Sequence, residues 1–105
     1  VREILRNKGL TPPDVYNKIG MDRRLFSKIL KDEKYRPNKV TVLKIALGLE
    51  LGLPETLNLL KSAGFTLSHS ILFDVIMEYC IVNGNYDVYV IGDILKDFAL
   101  DKYWM

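Results

Sequence analysis

Residues 12–31 read PPDVYNKIGMDRRLFSKILK, and the order of residue types in them decides the fold. Thr11 stands before two prolines and Asp14. A threonine hydroxyl caps a helix, and proline costs nothing in a first turn whose N–H groups have no intrahelical partner, so a helix begins at Pro12. Val15 and Ile19 lie four apart on one face, and Gly20 supplies the left-handed residue that ends the helix after roughly two turns. Asp22 then caps a second helix, Arg23 to Lys31. Its buried stripe is Phe26, Ile29 and Leu30, and its other faces carry Arg23, Arg24, Ser27, Lys28 and Lys31.

The pattern continues outward on both sides. Ile4 and Leu5 belong to a preceding helix that Gly9 closes. Asp32 to Asn38, with Pro37 inside it, is a polar loop, and from Asn38 or Lys39 a helix runs to about Leu51. Val42, Leu43, Ile45, Ala46, Leu49 and Leu51 make that helix apolar over more than half its circumference, as befits the hub of a core. Leu53, Pro54 and Glu55 open a fifth helix with Leu57, Leu59 and Leu60 inward and Gly64 at its end. Ser68 or Ser70 caps a sixth, with one stripe of Ile71, Leu72, Val75, Ile76 and Tyr79 and a second of Phe73, Met77 and Cys80. After Gly84 and Asn85, Val88, Ile91, Ile94, Leu95 and Phe98 recur at helical spacing, although Tyr86 to Ile91 is β-branched and aromatic enough for a strand. The expected fold class is all-α, with a five-helix core over residues 1–65 and a two-helix extension of the same domain over residues 66–105.

The chain has 105 residues, 49% of them hydrophobic and 27% charged, with one Cys, one Trp and no apolar run of membrane-spanning length. That composition describes one globular domain and excludes a disulfide scaffold. A lone Cys80 fits a reducing compartment, so a cytoplasmic location and no membrane association are expected. The chain opens at Val1 inside a helix without initiator Met or signal peptide, which reads as a piece of a longer protein. There is no Gly-rich phosphate loop, no Ser/His/Asp set and no CxxC, so neither catalysis nor a cofactor nor a metal is expected. His69 reads as a capping or packing residue, Cys80 as a small buried hydrophobe, and Asp74 with Glu78 as a solvated helix edge.

The net charge of +2 conceals an asymmetry. Residues 1–47 hold twelve Lys and Arg against five acids, a balance of +7, whereas residues 48–105 hold three bases and eight acids, a balance of −5. A basic half favours a polyanion by counterion release. The basic residues also coincide with the paired helices of residues 12–31, the arrangement in which a second helix enters the major groove and the first braces it. Apolar residues where the helices cross, a glycine at the turn and a cap on the second helix are all present in Val15, Ile19, Gly20, Met21, Asp22, Phe26 and Ile29.

With Pro37, Leu43, Ile45, Ala46 and Leu49 added, the first sixty or so residues resemble the phage-repressor-like (Xre-type) helix-turn-helix family. More narrowly, residues 16–98, through VYNKIGMDRRLFSKILKDEKYRPNK, ALGLELGLPETLNLLKSAGFTLSHS and FDVIMEYCIVNGNYD, look like a module appended to the C-terminus of some bacterial proteins. Those include proteins with a macro domain, the ADP-ribose-processing fold. The narrower resemblance says nothing direct about what the module binds; the repressor-like one implies a regulatory or targeting module that binds nucleic acid, DNA before RNA. Arg23, Arg24, Ser27 and Lys28 would face the groove, and Lys31, Lys34, Arg36 and Lys39 would follow a phosphate strand. Two positions depart from the repressor pattern: Tyr16 replaces a small residue at the helix crossing, and Pro12 replaces a polar phosphate-binding side chain. Tyr16 either opens the crossing or projects to the surface. Tyr35, between Lys34 and Arg36, stacks on a sugar or base or else covers the loop.

Phe73, Met77 and Cys80, with Tyr89, Tyr103 and Trp104, exceed what one side of a small core needs. They are expected to form an interface, in a homodimer or against an N-terminal domain of a parent chain; a closed seven-helix core with Trp104 folded back is the alternative. A protein-interaction module of the same fold, docking an ADP-ribose-processing domain, is the second functional reading.

Overall fold

The computed structural model describes residues 2–32 and 35–104, and among them every regular element is helical. Seven α-helices follow one another: α1 (Arg2–Lys8), α2 (Pro12–Lys18), α3 (Arg23–Lys31), α4 (Lys39–Gly48), α5 (Leu53–Ser62), α6 (Leu72–Val82) and α7 (Val88–Asp97), with a 3-10 turn at Asp101–Tyr103. None is long and apolar enough to cross a membrane.

Helix α4 is the hub. Val42, Leu43, Ile45, Ala46 and Leu47 are buried on it, with Leu49 and Leu51 just beyond, and α2 and α5 pack on its flanks. Asn38 caps it by accepting the Thr41 N–H at 2.8 Å. On the α2 side the backbones approach closely at Gly48, where a Cβ would stand 2.9 Å from both Val15 Cγ1 and Ile19 Cγ2.

The C-terminal helices depart from expectation in four respects. Neither Ser68 nor Ser70 caps α6, whose first residue follows Ile71 without a side-chain cap. Instead the Ser68 N–H donates to Asp74 at 2.8 Å, and Asp74 also accepts from Lys39 Nζ at 2.6 Å. Asp74 is therefore buried rather than part of a solvated edge, because two donors replace the water it gives up. The same face of α6 turns Phe73, Met77 and Cys80 inward, opposite to the interface role expected for them: Met77 and Cys80 are buried, and Phe73 is half-buried. Burial pushes the Cys80 thiol above its ordinary pKa, so it stays protonated.

Trp104 is likewise part of the core and not an exposed interface residue. The 3-10 turn folds the chain back so that its Nε1 donates to the Val88 carbonyl at 2.9 Å, its ring meets Phe73 at 6.2 Å, and Lys44 Nζ sits 5.0 Å above it. Of the expected interface set only Tyr89 and Tyr103 stand out in solvent, Tyr89 beside Gly20. Residues 88–91 are helical, since Asp87 accepts the Tyr89 and Val90 N–H groups and opens α7 there despite the β-branched run.

Ala99, in the turn that ends α7, has φ 58°, a left-handed conformation that costs a residue with a Cβ about 1–2 kcal/mol. Ala99 is exposed and packs against nothing in the core. Ala99→Gly is expected to raise stability by about 0.5–1 kcal/mol, read as a higher urea midpoint at unchanged slope. A midpoint equal to or below that of the parent chain rejects the strain argument.

Candidate nucleic-acid interface

Helix α2 begins with a reciprocal cap: the Thr11 N–H donates to Asp14 Oδ2 at 2.8 Å and the Asp14 N–H to Thr11 Oγ1 at 3.4 Å. The Thr11 backbone bond, with the hydroxyl bond behind it, holds the Asp14 carboxyl below its ordinary pKa. Gly20, at φ 65°, ends the following turn, and Asp22 caps α3 by accepting the Arg24 N–H at 2.6 Å. Val15, Ile19 and Phe26 are buried beneath the two helices, so α3 is held by its apolar side and shows the other.

Tyr16 lies at the crossing, neither on the open surface nor fully buried. Its ring meets Phe26 at 5.9 Å between centroids, inclined by 58°. The close backbone approach that a small residue would allow at this position is made instead at Gly48, between α2 and α4.

On the outward side of α3, Arg23, Arg24, Lys28 and Lys31 are exposed and Ser27 is half-buried. Positions 23, 27 and 31 follow one another by single turns, with 24 and 28 alongside, so the five form one face. They rim an open groove of about 720 Å³ whose floor is Tyr16, Phe26 and Leu30 and whose far wall is Pro12 and Pro13. The two prolines present no N–H to this groove, so the charged donors there all belong to α3.

The rest of the expected basic strip is only partly assembled. Arg36 is exposed in the loop before α4. Lys39 is not available to a phosphate strand, since its ammonium is held by the buried Asp74 carboxylate at 2.6 Å and its side chain is only 25% exposed. Lys34 lies outside the described residues. Tyr35 is half-buried with Lys28 Nζ 4.9 Å above its ring, so the ring leans on α3 and helps to place the Lys28 ammonium. Elsewhere on the basic half, Lys18 pairs with Glu50 at 2.5 Å, and that hydrogen bond holds the Glu50 carboxyl below its ordinary pKa. Among the described residues no group of three or more His, Cys, Asp or Glu could hold a metal ion. His69 is exposed, with Nε2 3.0 Å from Glu78 Oε2.

Two determinants escaped the sequence reading: Gly48, which looks like any glycine near a helix end, and Asp74, which looks like half of a surface carboxylate pair. The spacing of Asp74 from Met77 and Ile81, three and seven residues on, puts the three on one face but does not say that this face is the inner one.

The chain matches no protein-family model, no curated protein and no solved structure.

Proposed function

We propose that this chain is a DNA-binding module of the helix-turn-helix kind, with α3 as the helix that enters the major groove and no catalytic role of its own. The observation that carries the reading is the outward face of α3, where Arg23, Arg24, Lys28 and Lys31 stand together in solvent on a helix anchored from behind by Phe26. Two short helices meeting at a glycine turn, with the cap of the second intact, support the same reading. Arginine at the N-terminal end of such a helix suits guanine edges or the flanking phosphates, and Lys28, Lys31 and Arg36 suit the phosphate backbone. The acidic second half of the chain then faces away from the polyanion.

The test is titration of the 105-residue chain against labelled random-sequence duplex DNA at two salt concentrations, alongside the Arg23→Ala/Arg24→Ala double variant. Binding of micromolar strength that weakens steeply with salt is expected, as for contacts dominated by phosphate charge. The double variant should lose at least about tenfold in affinity and lower the salt slope by about two. A folded chain that shows no binding at low salt overturns the reading and assigns the basic face to an acidic protein partner.

A further inference from the structure

With Asp74 and its neighbours turned inward, α6 is left with an outer face that the monomer does not cover. Leu72 (50% exposed), Val75 (38%), Tyr79 (67%) and Val82 (64%) follow one another at steps of three and four residues and, with Ile71 (51%) at the N-cap, make one stripe along the whole helix. α6 contains no lysine or arginine. Of its two carboxylates Asp74 is buried, and Glu78 is already faced by His69 at 3.0 Å. A solvated helix face does not look like this. The five side chains amount to roughly 500 Å² of apolar surface, toward the upper end of what a soluble monomer shows in one patch.

We propose that this face is a homodimer interface, in which two copies of the chain meet about a two-fold axis with their α6 helices antiparallel. The occupant follows from symmetry, charge and area. A two-fold contact needs a surface complementary to itself. The stripe has that property, because reversing the helix about Met77 brings Val82 opposite Ile71 and Leu72, and Tyr79 opposite Val75. Each larger side chain then meets a smaller one. The face carries no lysine or arginine and a single half-buried carboxylate, Glu78, so two copies approach with little of the repulsion that the −5 balance of residues 48–105 would otherwise impose. Antiparallel helices also set their dipoles head to tail. Two such patches cover about 1,000 Å² in total, the lower bound of a specific association.

The experiment is sedimentation equilibrium of the 105-residue chain from about 1 to about 500 µM, with Val75→Lys and Tyr79→Glu singly and as an equimolar mixture. The mass should rise with concentration from 12.1 kDa to twice that value. Each variant alone should weaken association at least tenfold while its circular dichroism and unfolding midpoint stay unchanged, since both side chains stand in solvent. The mixture should recover the dimer, because an antiparallel pair sets position 75 of one copy against position 79 of the other and the introduced charges are opposite. A parent chain that stays at 12.1 kDa throughout, or a dimer as strong in both variants, overturns the interface. A mixture that associates no better than the variants alone overturns the antiparallel register. Neither outcome depends on whether the chain binds DNA.

Discussion

A valine in place of Gly48 is expected to cost the fold roughly 3 kcal/mol, a large part of the stability of a domain this size. The reason lies in the crossing of α2 and α4. A Cβ at position 48 would stand 2.9 Å from Val15 Cγ1 and from Ile19 Cγ2, and 3.5 Å from the Val15 carbonyl oxygen. Both opposing side chains are β-branched and buried, Val15 on a helix with essentially one χ1 well and Ile19 at its C-cap, so neither methyl swings aside easily. In an ordinary helix interior Gly→Ala gains about 1 kcal/mol of propensity. Here even Gly48→Ala is expected to lower stability, because overpacking costs about 1–3 kcal/mol and outweighs that gain. Urea unfolding of Gly48→Ala, Gly48→Val and the Val15→Ala/Gly48→Ala pair checks this. The pair should recover part of the Gly48→Ala loss, since it removes one of the two blocking methyls. A Gly48→Ala chain more stable than its parent would falsify the close-approach account.

Asp74→Ala is expected to destabilise by about 3 kcal/mol. Asp74 is 1% exposed and accepts two hydrogen bonds, from the Lys39 ammonium and from the Ser68 N–H. Removing the carboxylate leaves that N–H without its acceptor, at about 1–3 kcal/mol. It also leaves the Lys39 ammonium beside an apolar surface; the 25% exposure of that side chain lets it turn partly to water, which keeps the total below the upper range for a fully buried pair. A double-mutant cycle with Lys39→Met should show a coupling above about 1 kcal/mol, because the double variant no longer carries an unpaired ammonium. Additive effects of the two changes would mean that the pair holds nothing in place. The same cycle bears on the α6 face: if Asp74 sets the rotation of that helix, Asp74→Ala should loosen the packing of Phe73 against Trp104 and raise the accessibility of Cys80 to a thiol reagent.

Much of this was legible in the sequence, because it is written in local rules. Thr11, Pro12 and Asp14 announce the start of α2, Gly20 its end, and Asp22 the start of α3; each acts within four residues of its own position. The outward face of α3 was equally plain, since Phe26 fixes which side is buried and the period of the helix places Arg23, Arg24, Ser27, Lys28 and Lys31 opposite. The hub role of α4 follows from an apolar surface too wide for a helix with only one neighbour. The C-terminal helices were harder, because α6 is apolar on both sides and its periodicity does not say which side is in.

The partner that marks the inner side lies thirty-five residues away. Lys39 at the start of α4 pairs with Asp74, and α6 is rotated to bury Asp74 together with Met77 and Cys80 and to leave Val75, Tyr79 and Val82 in solvent. The same contact withdraws Lys39 from the basic strip. Trp104 belongs with these cases: a tryptophan near a chain end has no local partner, and only the carbonyl of Val88, the ring of Phe73 and the open side of Gly92 make a place for it. The sequence by itself determined the helices, the caps of α2, α3 and α4 and the basic face of α3, since propensity, capping and turn geometry act over a few residues. The tertiary structure alone decided which face of α6 is core, where the backbones touch and which lysine is occupied, since each depends on a partner that chain order does not reveal.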